Sequence, residues 1–323
     1  MPLFLNALKQ HGHLDALQMT IACVGSRKLG DRDDLGPAWQ VFAPRLTIYG
    51  FDADADACDA ANRDLAARRV SWREVHIPLA LSDAVGESTL YVTRHPMCSS
   101  LFPPDEDFLG RFTGLQELAG LDFTVEIETT TLDAFCQQEQ ISGIDFLQMD
   151  VQGAELKVLS GAEALLPGVL GLQTEISFSP LYQRQPLFAD VDAYLRQRQF
   201  EFFNFEFRGS PGVRRQSPVQ SKVRGGQLLW ADAIYFRGLP APDIDPSAAN
   251  LDRLFKLACI VDALDFSDYA LDLLASLTLQ TERNYADSIL QGLKTVPDLV
   301  GFGLEKLPVV QQIRGHLSDS ALS

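Results

Sequence analysis

The chain has 323 residues, the length of about two ordinary domains or of one α/β domain with an appendage. With 43 acidic against 27 basic residues its net charge is −16, so the average field repels phosphate backbones and anionic lipid surfaces, and no nucleic-acid partner is expected. Hydrophobic residues at 46% and charged residues at 22% are ordinary for a folding chain, and no apolar run reaches the ~18 to 20 residues of a bilayer span; the expectation is a cytoplasmic protein with no membrane span.

After a lead of residues 1–19, expected to be helical, the run TIACVG ends in Gly25 and the run LTIYGFD ends in Asp52. Both read as buried parallel strands, because they are short, mainly apolar runs rather than alternating ones. The segment ADADACDAANRDLAARR is rich in helix formers, with Ala57, Ala60, Ala61 and Leu65 spaced to face a sheet. SWREVHIPLALSD supplies a third strand and carries His76, which reads as a core histidine. ESTLYVT and TVEIETTTL alternate in the two-residue period of half-exposed antiparallel strands.

The centre of the chain reads as a βαβ unit: strand IDFLQMD, amphipathic helix VQGAELKVLSGAEALL, strand VLGLQTEISFS. A helix LFADVDAYLRQRQ, a strand FEFFNFEF, a polar loop RGSPGVRRQSPVQSKVRGGQ and a strand LLWADAIYFR follow. The prolines of GLPAPDIDPS mark a boundary. Beyond it two helical stretches precede a less regular tail interrupted by Gly301, Gly303 and Pro308. The expected division is a lead of residues 1–19, an α/β domain of residues 20–240 and a helical extension of residues 241–323. That extension would pack on the domain, pair two subunits into a homo-oligomer or dock a partner enzyme. The five cysteines, Cys23, Cys58, Cys98, Cys136 and Cys259, are widely spaced without a CxxC pair, and read as reduced structural thiols with no metal site.

Parallel sheets bind ligands at the carboxyl ends of their strands, so the residues that end each strand are the candidates. Gly25 permits a close turn beneath a ligand, with Arg27 beside it. Asp52 is placed to accept hydrogen bonds from ribose hydroxyls; Asp54 and Asp56 instead suit the start of the following helix. Ser82 and Asp83 either lie against an adenine edge or form a turn. Asp150 either faces the ligand crevice or caps the helix that Gly153 and Glu155 begin, and Glu175 ends the next strand. Neither GxSxG nor a phosphate-binding GxxxxGK[ST] loop occurs.

The run IDFLQMDVQGAELKVLSGAEALL, with LQTEISFSPLYQRQPLFADVDAYL and FEFFNFEF behind it, resembles the FkbM-type S-adenosylmethionine-dependent methyltransferases. The likeness extends through YGFDADADAC, ALSDAVGESTLYVT, MCSSLFPP and WADAIYFR. It implies a Rossmann-like class I methyltransferase fold, a seven-stranded sheet with helices on both faces. It also implies S-adenosyl-L-methionine as cofactor and a hydroxyl oxygen of a sugar, glycan or secondary metabolite as acceptor. On this reading Gly25 and Arg27 lie by the methionine part of the cofactor, Asp52 by its ribose, and Ser82 and Asp83 by its adenine. Asp150 stands nearest the reacting methyl, with Glu155 and Glu175 as second choices for the base or for holding Mg²⁺. Ser99, Ser100 and Tyr182 would contact substrate. The sequence departs from the family in its first motif, where Cys23 replaces an aspartate and an extended GSRKLGDRDDLG follows. Two other classes share the acid after the second strand: a nicotinamide-dependent oxidoreductase, which needs a GxGxxG absent here, and a non-catalytic nucleoside-binding module.

Overall fold

The computed structural model describes residues 2–27, 37–206, 212–238 and 247–320. Lys28 and most of the extended first motif lie outside them, as do residues 239–246 of the proline-marked boundary. The strands are β1 (Met19–Val24), β2 (Leu46–Asp52), β3 (Arg73–Pro78), β4 (Ala80–Leu81), β5 (Gly86–Thr93), β6 (Leu121–Thr130), β7 (Phe146–Met149), β8 (Gly171–Ser177), β9 (Phe200–Glu206) and β10 (Trp230–Arg237). The helices are α1 (Leu5–Gln10), α2 (Ala55–Arg68), α3 (Glu106–Leu109), α4 (Leu115–Ala119), α5 (Leu132–Gln138), α6 (Glu155–Ser160), α7 (Phe188–Arg196), α8 (Ala248–Ala263), α9 (Ser267–Gln280), α10 (Ala286–Leu293), α11 (Pro297–Phe302) and α12 (Pro308–Ser320).

Seven strands form one sheet in the order β3-β2-β1-β7-β8-β10-β9. The first five run parallel, and β10 is antiparallel to both of its neighbours. This is the class I methyltransferase topology. Adjacent residues of a strand point to opposite faces, and the two faces have separate cores. Ile21, Phe146 and Phe236 enter one core with α1 and the C-terminal helices. Ala22, Leu147 and Tyr235 enter the other, with residues of α5, α6 and α7. The central strands are therefore apolar on both sides and show no polar alternation.

The C-terminal helices thus pack on one face of the sheet, together with α1. Leu254, Leu257, Ala258 and Val261 of α8 are buried in the same core as Met19 and Ile21 of β1, and Lys256 Nζ pairs with Asp145 at 2.8 Å just before β7. The described part of the β1–β2 connection is a 3-10 turn, Pro37–Phe42, whose Trp39 and Phe42 join that core. Pro308 opens a thirteen-residue helix where an irregular tail was expected, because proline at a helix start lacks only an amide that would have no helical partner. The central helix is shorter than its pattern: α6 has six residues, and Gly161 follows it where a Cβ would meet the Ser82 carbonyl oxygen at 2.1 Å. In α2 the buried face is Cys58, Ala61 and Leu65, while Ala60 is exposed.

A second sheet, β4-β6-β5, rises from the end of β3. Its strand β4 continues β3 after one residue, so the third predicted strand serves two sheets. The predicted antiparallel pair is β5 with β6, in which Leu90 faces Val125 and Val92 faces Phe123.

Candidate active site

The ends of β1, β2 and β7 meet in one tight junction. Gly25 has φ +77, and a Cβ there would lie 1.8 Å from the Asp150 carbonyl oxygen, so any other residue would drive the β1 turn off the β7 turn. The amides of Gly25 and Ser26 both donate to the Phe51 carbonyl at 2.9 Å, and the Asp150 amide donates to Val24 at 2.9 Å. Above this junction opens a cavity of about 540 Å³. Gly25, Arg27, Asp52, Asp150, Ser99 and Ser100 line it, together with Gln152 and an apolar set from β4, β5 and β6.

Asp52 ends β2 with its Oδ1 accepting from the Asp54 amide at 2.9 Å. Burial raises its pKa above the ordinary carboxylate value, an effect that the neighbouring Arg27 charge and amide partly offset. Asp54 caps α2, accepting from the Ala57 amide at 3.0 Å, and its carboxylate pairs with the Arg27 guanidinium. His76 is buried, bonded to Ser26 Oγ at 2.9 Å and Glu74 at 3.2 Å, and supports the Gly25 turn from below.

The turn after β7 is the most constrained part of the site. Gln152 sits at φ +54, a conformation unfavourable for a side-chain-bearing residue. Its Nε2 donates to Asp150 Oδ1 at 2.7 Å and to Glu175 Oε2 at 2.9 Å. The Tyr182 hydroxyl lies 3.0 Å from its Oε1 and 2.7 Å from the Cys98 carbonyl. Ser100 Oγ donates to its backbone carbonyl at 2.7 Å. One glutamine therefore ties together two carboxylates, a tyrosine and a serine from four segments. Glu155 turns inward beneath it, its Oε1 accepting from the amides of Val151 at 3.0 Å and Gly153 at 3.2 Å. Burial pushes the Glu155 carboxyl up to about 7.

The expected residues therefore divide by position. Gly25, Arg27, Asp52, Asp150, Ser99 and Ser100 line the cavity. Glu175 meets it through Gln152. Tyr182 is buried behind Gln152, and burial raises its hydroxyl well above the ordinary value. Ser82 and Asp83 stand apart from the lining, joined to each other at 2.9 Å and, through Asp83, to Lys157 at 3.0 Å. The adjacent Leu79, Ala80 and Leu81 line the cavity in their place. Among the described residues, no three His, Cys, Asp or Glu side chains are grouped to hold a metal ion.

Residues 43–202 match the model of the methyltransferase FkbM domain. This stretch is an FkbM methyltransferase domain. A stretch of 72 residues is 39% identical to the 2-O-methyltransferase NoeI of Sinorhizobium fredii (strain NBRC 101917 / NGR234), covering 22% of this chain and 30% of that protein. The crystal structure of methyltransferase FkbM from Methylobacillus flagellatus KT superposes with a TM-score of 0.39 at 12% identity, over 68% of this chain and 43% of that one. TrmK of M. capricolum, solved with S-adenosyl-homocysteine, superposes with a TM-score of 0.33 at 6% identity, over 88% of this chain and 95% of that one. The chain thus spans less than half the length of the first two.

Two parts of this FkbM domain's site escaped the sequence. Gln152 belongs to the run VQGAELKVLSGAEALL that reads as a helix, and nothing in its type marks the positive φ it adopts before α6. The apolar wall from β5 and β6 was legible only as alternation; which face would meet the cavity depended on the β4–β6 pairing of Leu81 with Thr130.

Proposed function

We propose that this methyltransferase uses S-adenosyl-L-methionine and transfers its methyl group to a hydroxyl oxygen of a sugar, glycan or other small metabolite. The observation that carries the reading is that Asp52 and Asp150, the acids ending β2 and β7, line one cavity of about 540 Å³, within the range of small-molecule sites. The residues fit the cofactor: an acid at the end of the second strand for ribose, an apolar Leu79–Leu81 edge for a base, and a close glycine turn beside them. When bound, the cofactor supplies an electrophilic methyl on a cationic sulfur, which the surrounding acids favour electrostatically.

Asp52 accepts the ribose hydroxyls. Arg27, in ion pair with Asp54, borders the same end. Asp150 accepts the proton of the acceptor hydroxyl as its oxygen bonds to carbon, and Gln152 fixes the carboxylate at 2.7 Å for that role. In-line displacement requires oxygen and carbon ~3 to 3.5 Å apart, so positioning is a large part of the rate. Glu175 assists from the far side of Gln152, Glu155 and Tyr182 brace the turn, and Ser99 and Ser100 border the acceptor. Ser82 and Asp83 act indirectly, by anchoring the strand edge against Lys157. Catalysis is assigned to residues 20–240, with residues 1–19 and 241–323 as its support.

Mass spectrometry for the gain of one methyl group across a panel of glycans and hydroxylated metabolites tests this directly. On any acceptor found, Asp150→Asn should lower kcat by about 10² to 10⁴. Full activity in that variant would remove Asp150 from the proton step.

A further inference from the structure

Among the described residues, nine large hydrophobic side chains are exposed, and three of them, Leu121, Phe123 and Val125, alternate along β6. Phe123 is 53% exposed and Val125 41%. Both nevertheless line the cavity, beside Ile127 of the same strand and Leu90 and Val92 of β5. Register explains the continuity. Leu90 opposes Val125 and Val92 opposes Phe123, so both strands turn their apolar set to one face, while Asp122, Thr124 and Glu126 take the other.

This wall extends beyond what a nucleoside cofactor requires. It joins the β3 end where Leu81 pairs with Thr130, and Phe123 stands about 20 Å farther along β6. It is also tied to the acceptor end of the site. Ser100 pairs with Tyr91 of β5 through two backbone hydrogen bonds, 2.9 and 3.2 Å, and its Oγ holds the Gln152 carbonyl beside Asp150. A chain lying on the wall can therefore place a hydroxyl at Asp150. The lining acids Asp52, Asp54, Asp56 and Asp150 exceed its one described cation, Arg27, and disfavour a negatively charged occupant.

We propose, resting on the methyltransferase reading, that the acceptor is amphiphilic: an uncharged hydroxylated head attached to an extended apolar chain that lies along Leu90, Val92, Phe123 and Val125. The test is calorimetric titration of hexyl, octyl and decyl maltoside, below their micelle concentrations, with S-adenosylhomocysteine present. A fully buried methylene tightens binding about 4-fold, and on this half-open wall about 2- to 4-fold per methylene is expected. The double variant Phe123→Ser, Val125→Ser should flatten that dependence and bind S-adenosylmethionine like the parent. Equal affinity for all three chain lengths overturns the proposal, as does a chain-length dependence that survives in the variant. Light scattering that finds a dimer in the parent and a monomer in the variant would assign the wall to a second copy instead. Failure of the parent to bind S-adenosylmethionine would count against the methyltransferase reading, an outcome separate from these.

Discussion

Asp262 and Asp150 both bring a carboxylate into the protein, and the groups around them set different tasks. Asp262, on α8, is fully buried. Its Oδ1 accepts from the Leu3 amide at 2.9 Å and Ser267 Oγ at 2.6 Å, and its Oδ2 from the Phe4 and Leu5 amides at 2.8 and 2.9 Å. It closes the start of α1, whose first amides have no partner within the helix, onto the C-terminal helices. Asp150 instead lines the cavity, where the Gln152 side-chain amide donates to its Oδ1 at 2.7 Å. The first arrangement fixes one geometry, and the second holds the carboxylate that we propose as proton acceptor. The difference suggests that an acid's surroundings, more than its burial, separate structural carboxylates from reactive ones.

The sharpest way to break the comparison on its structural side is Asp262→Ala. Three backbone amides and a hydroxyl lose their acceptor, and the expected cost is about 3 to 5 kcal/mol. Urea unfolding would report it, with cofactor affinity of the folded protein unchanged. A cost below ~1 kcal/mol would mean that α1 is held by packing alone.

Glu155 stands between the two cases, since it is buried like Asp262 yet supports the Asp150 turn. Its pKa is raised from 4.5 to about 7. As pH climbs through that window the unfolded chain ionises before the native one does, so stability is lost, by up to about 3 kcal/mol, and levels off above pH ~7. Glu155→Gln keeps an oxygen acceptor for Val151 and Gly153 and cannot ionise. It should melt higher than the parent at pH 8 and level with it near pH 4.5. Parallel melting curves at both pH values would show that the amide hydrogen bonds hold Glu155 ionised throughout.

The sheet was largely legible because its signal is local. LTIYGFD reads as a strand and forms β2 over the same residues, and the acids ending β2 and β7 follow from the rule that ligands bind at strand ends. What was not legible depends on distant pairings. Gly25 reads as a turn for a ligand, yet its first constraint is the Asp150 carbonyl across the sheet. Asp83 reads as a strand-end polar group, but Lys157, 74 positions away, engages it. The core that α8–α10 share with Trp39 and Phe42 of the β1–β2 connection and with α1 is assembled from distant segments, and no local periodicity encodes that.

The central claim is that the cavity at these strand ends holds S-adenosylmethionine against Asp52. Calorimetric titration of the parent and of Asp52→Ala tests it most directly. Binding by the parent, weakened about 10- to 100-fold in the variant as charge-assisted hydrogen bonds to ribose are lost, is the predicted result. No binding by the parent, or equal affinity in the two proteins, would contradict it.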